Sequence, residues 1–461
     1  SMCDHKREEK RKEKMTEKNG MRLEVCDNGR YLLKEGNPFF WLADTAWLIF
    51  EKLDEAEAEL YLRNRKEKGF NVIQATLIHK WPERNKDGDT PLIQNDFMQI
   101  DETGAFWKRV ETIVDIAASM DIYMALLPAW GSIVKKGYLN SENADHYLEF
   151  LIRHFGNKKN VIWLIGGDVK GEEAIDLFIH IGMRLKNECR DQLIGFHPFG
   201  RTSSSFWFHE MPWLDFNMFQ SGHRRYDQVN LKAWDDNEGT PYYGEDNYKY
   251  VAHDLSLLPI KPTLDGEPSY EQIPQGLHDE KEPKWQSWDI RRYAYWSTFA
   301  GAFGHTYGSN AVMQFYTQTD KEGAYGITRS WQEEKDNIGS FCMGHLRKLM
   351  ESVDFINGRA KEDLLVSANK EKYEHISVFA GDDFIFCYDY LGIPFTLDLS
   401  SYHGNMKFYY MDPLSGGYGY EGSVTGETKV RFSPPEKLEG HNDWVLVLLL
   451  EKQEIKTGRC S

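Results

Sequence analysis

The sequence predicts an α/β fold, a (β/α)8 TIM barrel followed by an all-β sandwich domain. Two patterns carry that reading. Short apolar runs alternate with helical stretches through most of the chain, which is how a parallel sheet with crossover helices is written. Towards the C-terminus the apolar spacing changes to period two, broken by Gly, Asp and Pro, as antiparallel strands require. The boundaries expected are a disordered tether over 1–20, a barrel over 21–360 and a β-sandwich over 361–461.

The stretch 6–18 is too charged to pack. A hairpin is expected next, over 30–34 and 38–41, with Glu35-Gly36-Asn37 as its turn. It should close the bottom of the barrel. Eight apolar runs then read as barrel strands: 40–45, 71–78, 122–130, 161–166, 193–198, 214–220, 262–266 and 302–307. Between the first two, Asp54-Glu55-Ala56-Glu57 reads as a capping box for a helix ending at Gly69. Phe106, Val110, Ile113, Val114 and Ala117 recur at helical spacing in the next crossover, and Leu148, Leu151, Ile152 and Phe155 in the one after it. The fifth crossover, 201–212, is too short for a full helix. The sixth, 223–260, is long and turn-rich around 236–244, as loops over a site would be. A last helix is expected near 341–350, then strands at 376–379, 384–388, 407–410 and 444–450.

At 461 residues the chain has room for a large catalytic body and a modest second module. A net charge of −17 argues against a nucleic-acid partner, because phosphate binding needs a positive footprint. Six cysteines without C-x-x-C spacing signal neither a zinc cage nor a disulfide framework. No metal and no cofactor is expected. No apolar run reaches the roughly 18 residues of a membrane span. Cys3 ahead of a hydrophilic tether is how a mature bacterial lipoprotein begins, so a lipid anchor there and a periplasmic or cell-surface location are expectations. The oligomeric state is not legible in the sequence.

A β/α barrel builds its active site at the C-terminal ends of its strands, so the residues closing each run are the ones to inspect. They are Asp44 and Trp47, His79 and Trp81, Trp130, Asp168, His197, Gln220 and His223, Glu267 and Tyr270, then His305 and Tyr307. Indole and phenol faces stack on sugar rings while imidazoles, amides and carboxylates bind hydroxyls, so the collection suits an oligosaccharide or polysaccharide substrate. Singly, each histidine reads as a structural one, and Asp44 either orients a hydroxyl or holds the first loop.

Glycoside hydrolysis needs one carboxyl to protonate the leaving oxygen and a second to attack the anomeric carbon or activate water. Asp168 ends the run Val161-Ile162-Trp163-Leu164-Ile165-Gly166-Gly167, where two glycines would let substrate approach the backbone. Its apolar setting should raise its pKa, as an acid requires. Glu267 lies in Thr263-Leu264-Asp265-Gly266-Glu267-Pro268, at the mouth of the seventh strand, which faces the fourth across an eight-stranded barrel.

The segments Phe39-Phe40-Trp41-Leu42-Ala43-Asp44-Thr45-Ala46-Trp47, Trp163-Leu164-Ile165-Gly166-Gly167-Asp168 and Asp265-Gly266-Glu267-Pro268-Ser269-Tyr270-Glu271 resemble the apiosidase-like catalytic domain of glycoside hydrolase family 140, over residues 29–350. Met411-Asp412-Pro413-Leu414-Ser415-Gly416-Gly417 and Asp443-Trp444-Val445-Leu446-Val447 resemble the collagen-binding-type β-sandwich that accompanies it. The resemblance implies Asp168 as acid/base and Glu267 as nucleophile, with apiose-bearing side chains of the pectin rhamnogalacturonan II as substrate. Gly167 stands where the wider group of barrel glycosidases often has Asn. Two other classes compete. A metal-dependent barrel hydrolase would want clustered ligands such as His-x-His after the first strand, which 42–45 lacks. A noncatalytic carbohydrate- or matrix-binding protein would not need both carboxylates.

Overall fold

The computed structural model describes residues 20–228 and 242–452. Almost all of the expected tether, with Cys3, and most of the turn-rich stretch 236–244 lie outside the described residues. All eight expected barrel strands form: β1 (Trp41–Thr45), β2 (Val72–Thr76), β3 (Tyr123–Leu127), β4 (Val161–Val169), β5 (Ile194–Pro198), β6 (Asn217–Gln220), β7 (Thr263–Asp265) and β8 (Gly304–Tyr307). Every residue in them is buried except Asp168. Parallel strands covered on both faces have no solvent side, which is why they read as unbroken apolar runs.

The long crossovers carry α1 (Glu55–Glu67), α2 (Ala105–Ser119), α3 (Ala144–Phe155), α4 (Ile175–Glu188), α5 (Asn247–Leu255) and α6 (Ser287–Phe299), and α7 (Ile338–Glu351) follows β8. The capping box at Asp54 is made: its side chain accepts from the Glu57 amide, and Glu57 returns the bond. The fifth crossover holds only the short helix Ser205–Phe208. Six strands form one parallel sheet in the order β8-β1-β2-β3-β4-β5, and β6 and β7 pair in a second. Backbone bonds cross both seams, from Asp215 N–H to the Ile194 carbonyl at 2.9 Å and from Phe303 N–H to the Thr263 carbonyl at 3.1 Å. The arrangement is TIM-like, with all strand C-termini at one mouth.

The hairpin Leu32–Lys34 and Asn37–Phe39 turns through Glu35 (φ 47°) and Gly36 (φ 75°), both left-handed as a two-residue type I′ turn demands. It sits at the opposite end from the mouth, where Phe39 packs edge-on against Tyr123 at the start of β3.

The C-terminal part is an antiparallel sheet domain. Its six strands run in the order Arg359–Ala360, Ile376–Ala380, Phe384–Asp389, Trp444–Leu450, Asn405–Met411 and Tyr418–Thr425. A two-stranded ribbon, Phe395–Asp398 with Lys429–Phe432, shares its apolar cluster on one face. The other face lies on α6: Phe379 and Phe386 reach Phe299, and Tyr388 stacks on Tyr295 at 4.9 Å. At that interface Arg291 makes a buried bidentate pair with Asp443, 2.8 and 2.9 Å.

Candidate active site

A cavity of about 320 Å³ opens at the strand mouth. At the end of β4 the chain passes through three consecutive left-handed residues, Gly166 (φ 89°), Gly167 (φ 113°) and Asp168 (φ 49°), and the register with β5 shifts there. A Cβ on Gly166 would come within 2.6 Å of the His197 carbonyl, and one on Gly167 within 2.8 Å of the Trp130 ring. The glycines therefore make room for His197 and Trp130, correcting the expectation that they clear a path for substrate. What the turn achieves is to aim the Asp168 carboxyl out of the strand and into the cavity.

Glu267, one residue beyond the Asp265-Gly266 end of β7, is held by two histidines whose tautomers the backbone dictates. The Asp168 amide donates to His197 Nδ1 at 3.1 Å, and the Tyr270 amide reaches His223 Nδ1 at 3.4 Å. An amide can only donate, so both Nδ1 atoms must accept and both protons sit on Nε2. His223 Nε2–H then donates to Glu267 Oε2 at 2.8 Å, while His197 Nε2 stands 3.4 Å from Oε1. The second contact is long and off-line, and Oε1 has no hydrogen-bond partner among the described residues. One oxygen is anchored and the other is available.

The two carboxyls are pushed in opposite directions. Burial, then the negative charge of Glu267, raises Asp168 to about 6, against hydrogen bonding from Gln220 Nε2 at 3.0 Å. Burial also works to raise Glu267, but the imidazoles of His197 and His223 outweigh it, His223 through its Nε2–H bond, and take the group down to about 2. A proton shared between them therefore resides on Asp168.

Trp47, His79 and Trp130 form one wall: Trp130 meets Trp47 at 4.9 Å and His79 at 4.6 Å. Burial holds His79 neutral, with its pKa down at about 4. Gln220 and Tyr270 complete the expected residues that line the cavity.

Five expected substrate contacts do not line it, and each has a physical reason; His197 is fully buried, with its Nε2 turned to Glu267. Asp44 points outward to α1, where Tyr61 Oη at 2.5 Å and Arg65 Nε at 2.6 Å bind its Oδ2 in a fully buried cluster. His305 and Tyr307 share the outer face of β8 by the period of two. His305 meets Ser297 of α6, and burial drops its pKa to about 3. Tyr307 donates to buried Glu271 at 2.6 Å. Trp81 lies beyond the cavity wall, stacked on Phe97 and Tyr138.

Phe199, Arg201, Arg224, Met313, Gln314 and Tyr325 also line the cavity and were not expected. Phe199 directly follows β5, Met313 and Gln314 lie in the short helix Asn310–Gln314, and Arg201, Arg224 and Tyr325 sit in loops. Among the described residues no three His, Cys, Asp or Glu side chains are grouped to hold a metal ion, and no helix is long and apolar enough to cross a membrane.

A TIM-like barrel that presents two carboxyls of opposed acidity beside an aromatic wall is built as a glycoside hydrolase. The model of the apiosidase-like catalytic domain matches residues 26–357, and the chain belongs to that family. A second model, described as "Putative collagen-binding domain of a collagenase", matches residues 361–449. A solved glycoside hydrolase is 36% identical, with 95% of this chain and 98% of that one covered at a TM-score of 0.88. A structure from Bacteroides vulgatus, described as a glycoside hydrolase of family 5, is 34% identical, with 94% of each covered and a TM-score of 0.88. Another B. vulgatus structure, 13% identical with 94% of this chain and 83% of that one covered at a TM-score of 0.64, shares the fold. None of the curated proteins matches.

Proposed function

We propose that this enzyme is a retaining glycosidase acting on acidic plant polysaccharide, an apiosidase-like activity on side chains of rhamnogalacturonan II, and that the eight strands work as one closed barrel. The observation that carries the mechanism is the opposed acidity of the two carboxyls. In the first step the free Oε1 of Glu267 attacks the anomeric carbon as the glycosidic C–O bond breaks, and the leaving oxygen takes the Asp168 proton. The ester neutralises Glu267, which removes one of the two causes that raise Asp168. Asp168 thereby becomes a stronger acid, and so a carboxylate able to take a proton from the water that displaces Glu267.

Arg201 and Arg224 support an acidic substrate. Both residues line the cavity, and burial lowers both, Arg224 to about 10 with the Arg201 charge as second cause. Guanidinium is the side chain best matched to a carboxylate, here that of a uronic acid next to the cleaved bond. Arg201 flanks the acid: its amide donates to the carbonyl of Gln220, whose side chain holds Asp168.

The test is to incubate wild type, Asp168→Asn and Glu267→Gln with rhamnogalacturonan II and other plant-polysaccharide fragments, native and carboxyl-reduced. Wild type should release a defined sugar from the native polymer and markedly less from the reduced one, with anomeric retention by NMR. Both variants should lose turnover about 10³-fold or more. Near-normal turnover in either variant ends the two-carboxylate assignment. Equal cleavage of reduced and native polymer ends the acidic-substrate reading alone.

A further inference from the structure

The segment that follows β6 carries His223, the residue that anchors Glu267. Three residues on, the amide of Tyr226 donates to Glu245 Oε2 at 2.7 Å, and Tyr226 Oη donates to Asp246 at 2.6 Å. Glu245 is fully buried, and its other oxygen takes two more donors. One is Arg292 of α6 at 2.8 Å. The second comes from the C-terminal domain, Tyr373 Oη at 2.8 Å. Tyr373 also packs edge-on against Tyr226 at 5.5 Å, and its neighbour Lys372 sets its ammonium 5.2 Å from the Tyr226 ring. Lys372 adopts a left-handed φ of 55° in the turn that delivers both side chains.

An isolated docking contact would have no reason to be so centred. The domain is already attached by the apolar face on α6 and the Arg291–Asp443 pair. The Tyr373 contact adds a hydrogen bond to a buried carboxylate that is itself tied to the backbone of the catalytic segment. Buried polar networks of this kind fix one geometry, because each unmade bond leaves a desolvated group without a partner.

We infer that the C-terminal domain is a positioning element of the active site: Tyr373, through Glu245, holds the segment that sets His223 against Glu267. Tyr373 touches neither carboxyl, so it is a positioning residue. The inference rests on the assignment of Glu267 as nucleophile only for its effect on turnover, since the effect on His223 is independent of it.

The experiment uses the full chain and two readouts. The first is ¹⁵N NMR of the histidine imidazoles, which reports tautomer and hydrogen bonding without substrate. In Tyr373→Phe the His223 signals should shift while those of His197 stay. The second is turnover of rhamnogalacturonan II, where kcat should fall roughly three- to tenfold with little change in KM. Tyr420→Phe, an exposed tyrosine of the same domain at 63% exposure, should match wild type in both. If Tyr373→Phe does not fold, Lys372→Ala removes only the cation over Tyr226 and should shift the same His223 signals. Wild-type imidazole signals and kcat in the folded variant, with only a lower Tm, overturn the inference. Failure of wild type to cleave this polymer instead overturns the substrate reading and leaves the NMR result to decide.

Discussion

At the scale of single residues the site works by making two like groups unlike. Asp168 and Glu267 both face the cavity, and desolvation there presses both upward. They diverge because Glu267 Oε2 accepts from His223 Nε2–H and the His197 imidazole stands beside Oε1, whereas Asp168 accepts one amide N–H from Gln220 and faces the charge of Glu267. The coupling has a sign that can be checked. Glu267→Gln removes the second cause of the Asp168 shift and leaves burial, so the Asp168 pKa should move down from about 6 towards the usual carboxylate range. Carboxyl ¹³C NMR titration of the variant measures this directly, and an unchanged value would mean the two groups do not sense one another. For wild type, kcat/KM should fall as pH rises through about 6, where free enzyme loses the Asp168 proton.

At the scale of elements, much of the barrel was legible because parallel strands are apolar throughout and their crossover helices keep a 3.6 period. That Asp168 and Glu267 face the cavity was legible too, as acids at or just past the ends of β4 and β7. Asp44, His305 and Tyr307 misled for one reason: position at a strand end does not reveal which face a side chain takes, and these three face the helices. The strands Phe395–Asp398 and Lys429–Phe432 were missed because their alternation runs over only four residues each, and Tyr418–Thr425 because it has no apolar alternation. Tyr418–Thr425 is an edge strand whose only aliphatic side chain is Val424, with no buried residue. Arg201 and Arg224 gave no signal, because loop residues announce nothing by period. The Asp44 finding carries its own prediction. Its carboxylate ties β1 to α1 through Arg65, with both partners fully buried. Asp44→Asn leaves the guanidinium uncompensated and should cost about 3–5 kcal/mol in urea denaturation. KM should stay at the wild-type value where the variant is folded; a raised KM with unchanged stability would return Asp44 to the substrate.

At the scale of the whole molecule, the same desolvation that raises Asp168 recurs at other buried carboxyls, from the floor of the cavity to the C-terminal domain. Burial raises Glu83, Asp265, Glu271 and Asp389 each to about 7, against hydrogen bonds that work to lower them. Glu271 holds the first turn of α7 through the Gly339 amide, Asp265 joins the ends of β6 and β7, and Asp389 braces a turn of the C-terminal domain. In the unfolded chain such groups titrate near 4. Between about pH 4 and 7 the folded protein therefore holds protons that the unfolded chain has released, and linkage fixes the sign: the stability they contribute is fully present below pH 4 and is lost as pH rises through 7. Glu267, held down at about 2, acts the other way at the acid extreme, and His79 and His305, held down at about 4 and about 3, act the other way up to the ordinary imidazole range near 6.5. The Tm should accordingly fall most clearly from about pH 6.5 to pH 8, in both the barrel and the C-terminal domain. Calorimetry at fixed ionic strength checks this, with Asp265→Asn expected to flatten the slope by removing one of the titrating groups. A Tm that rises over that interval would mean these buried carboxyls are ionised in the fold at neutral pH, with their hydrogen-bond donors outweighing desolvation.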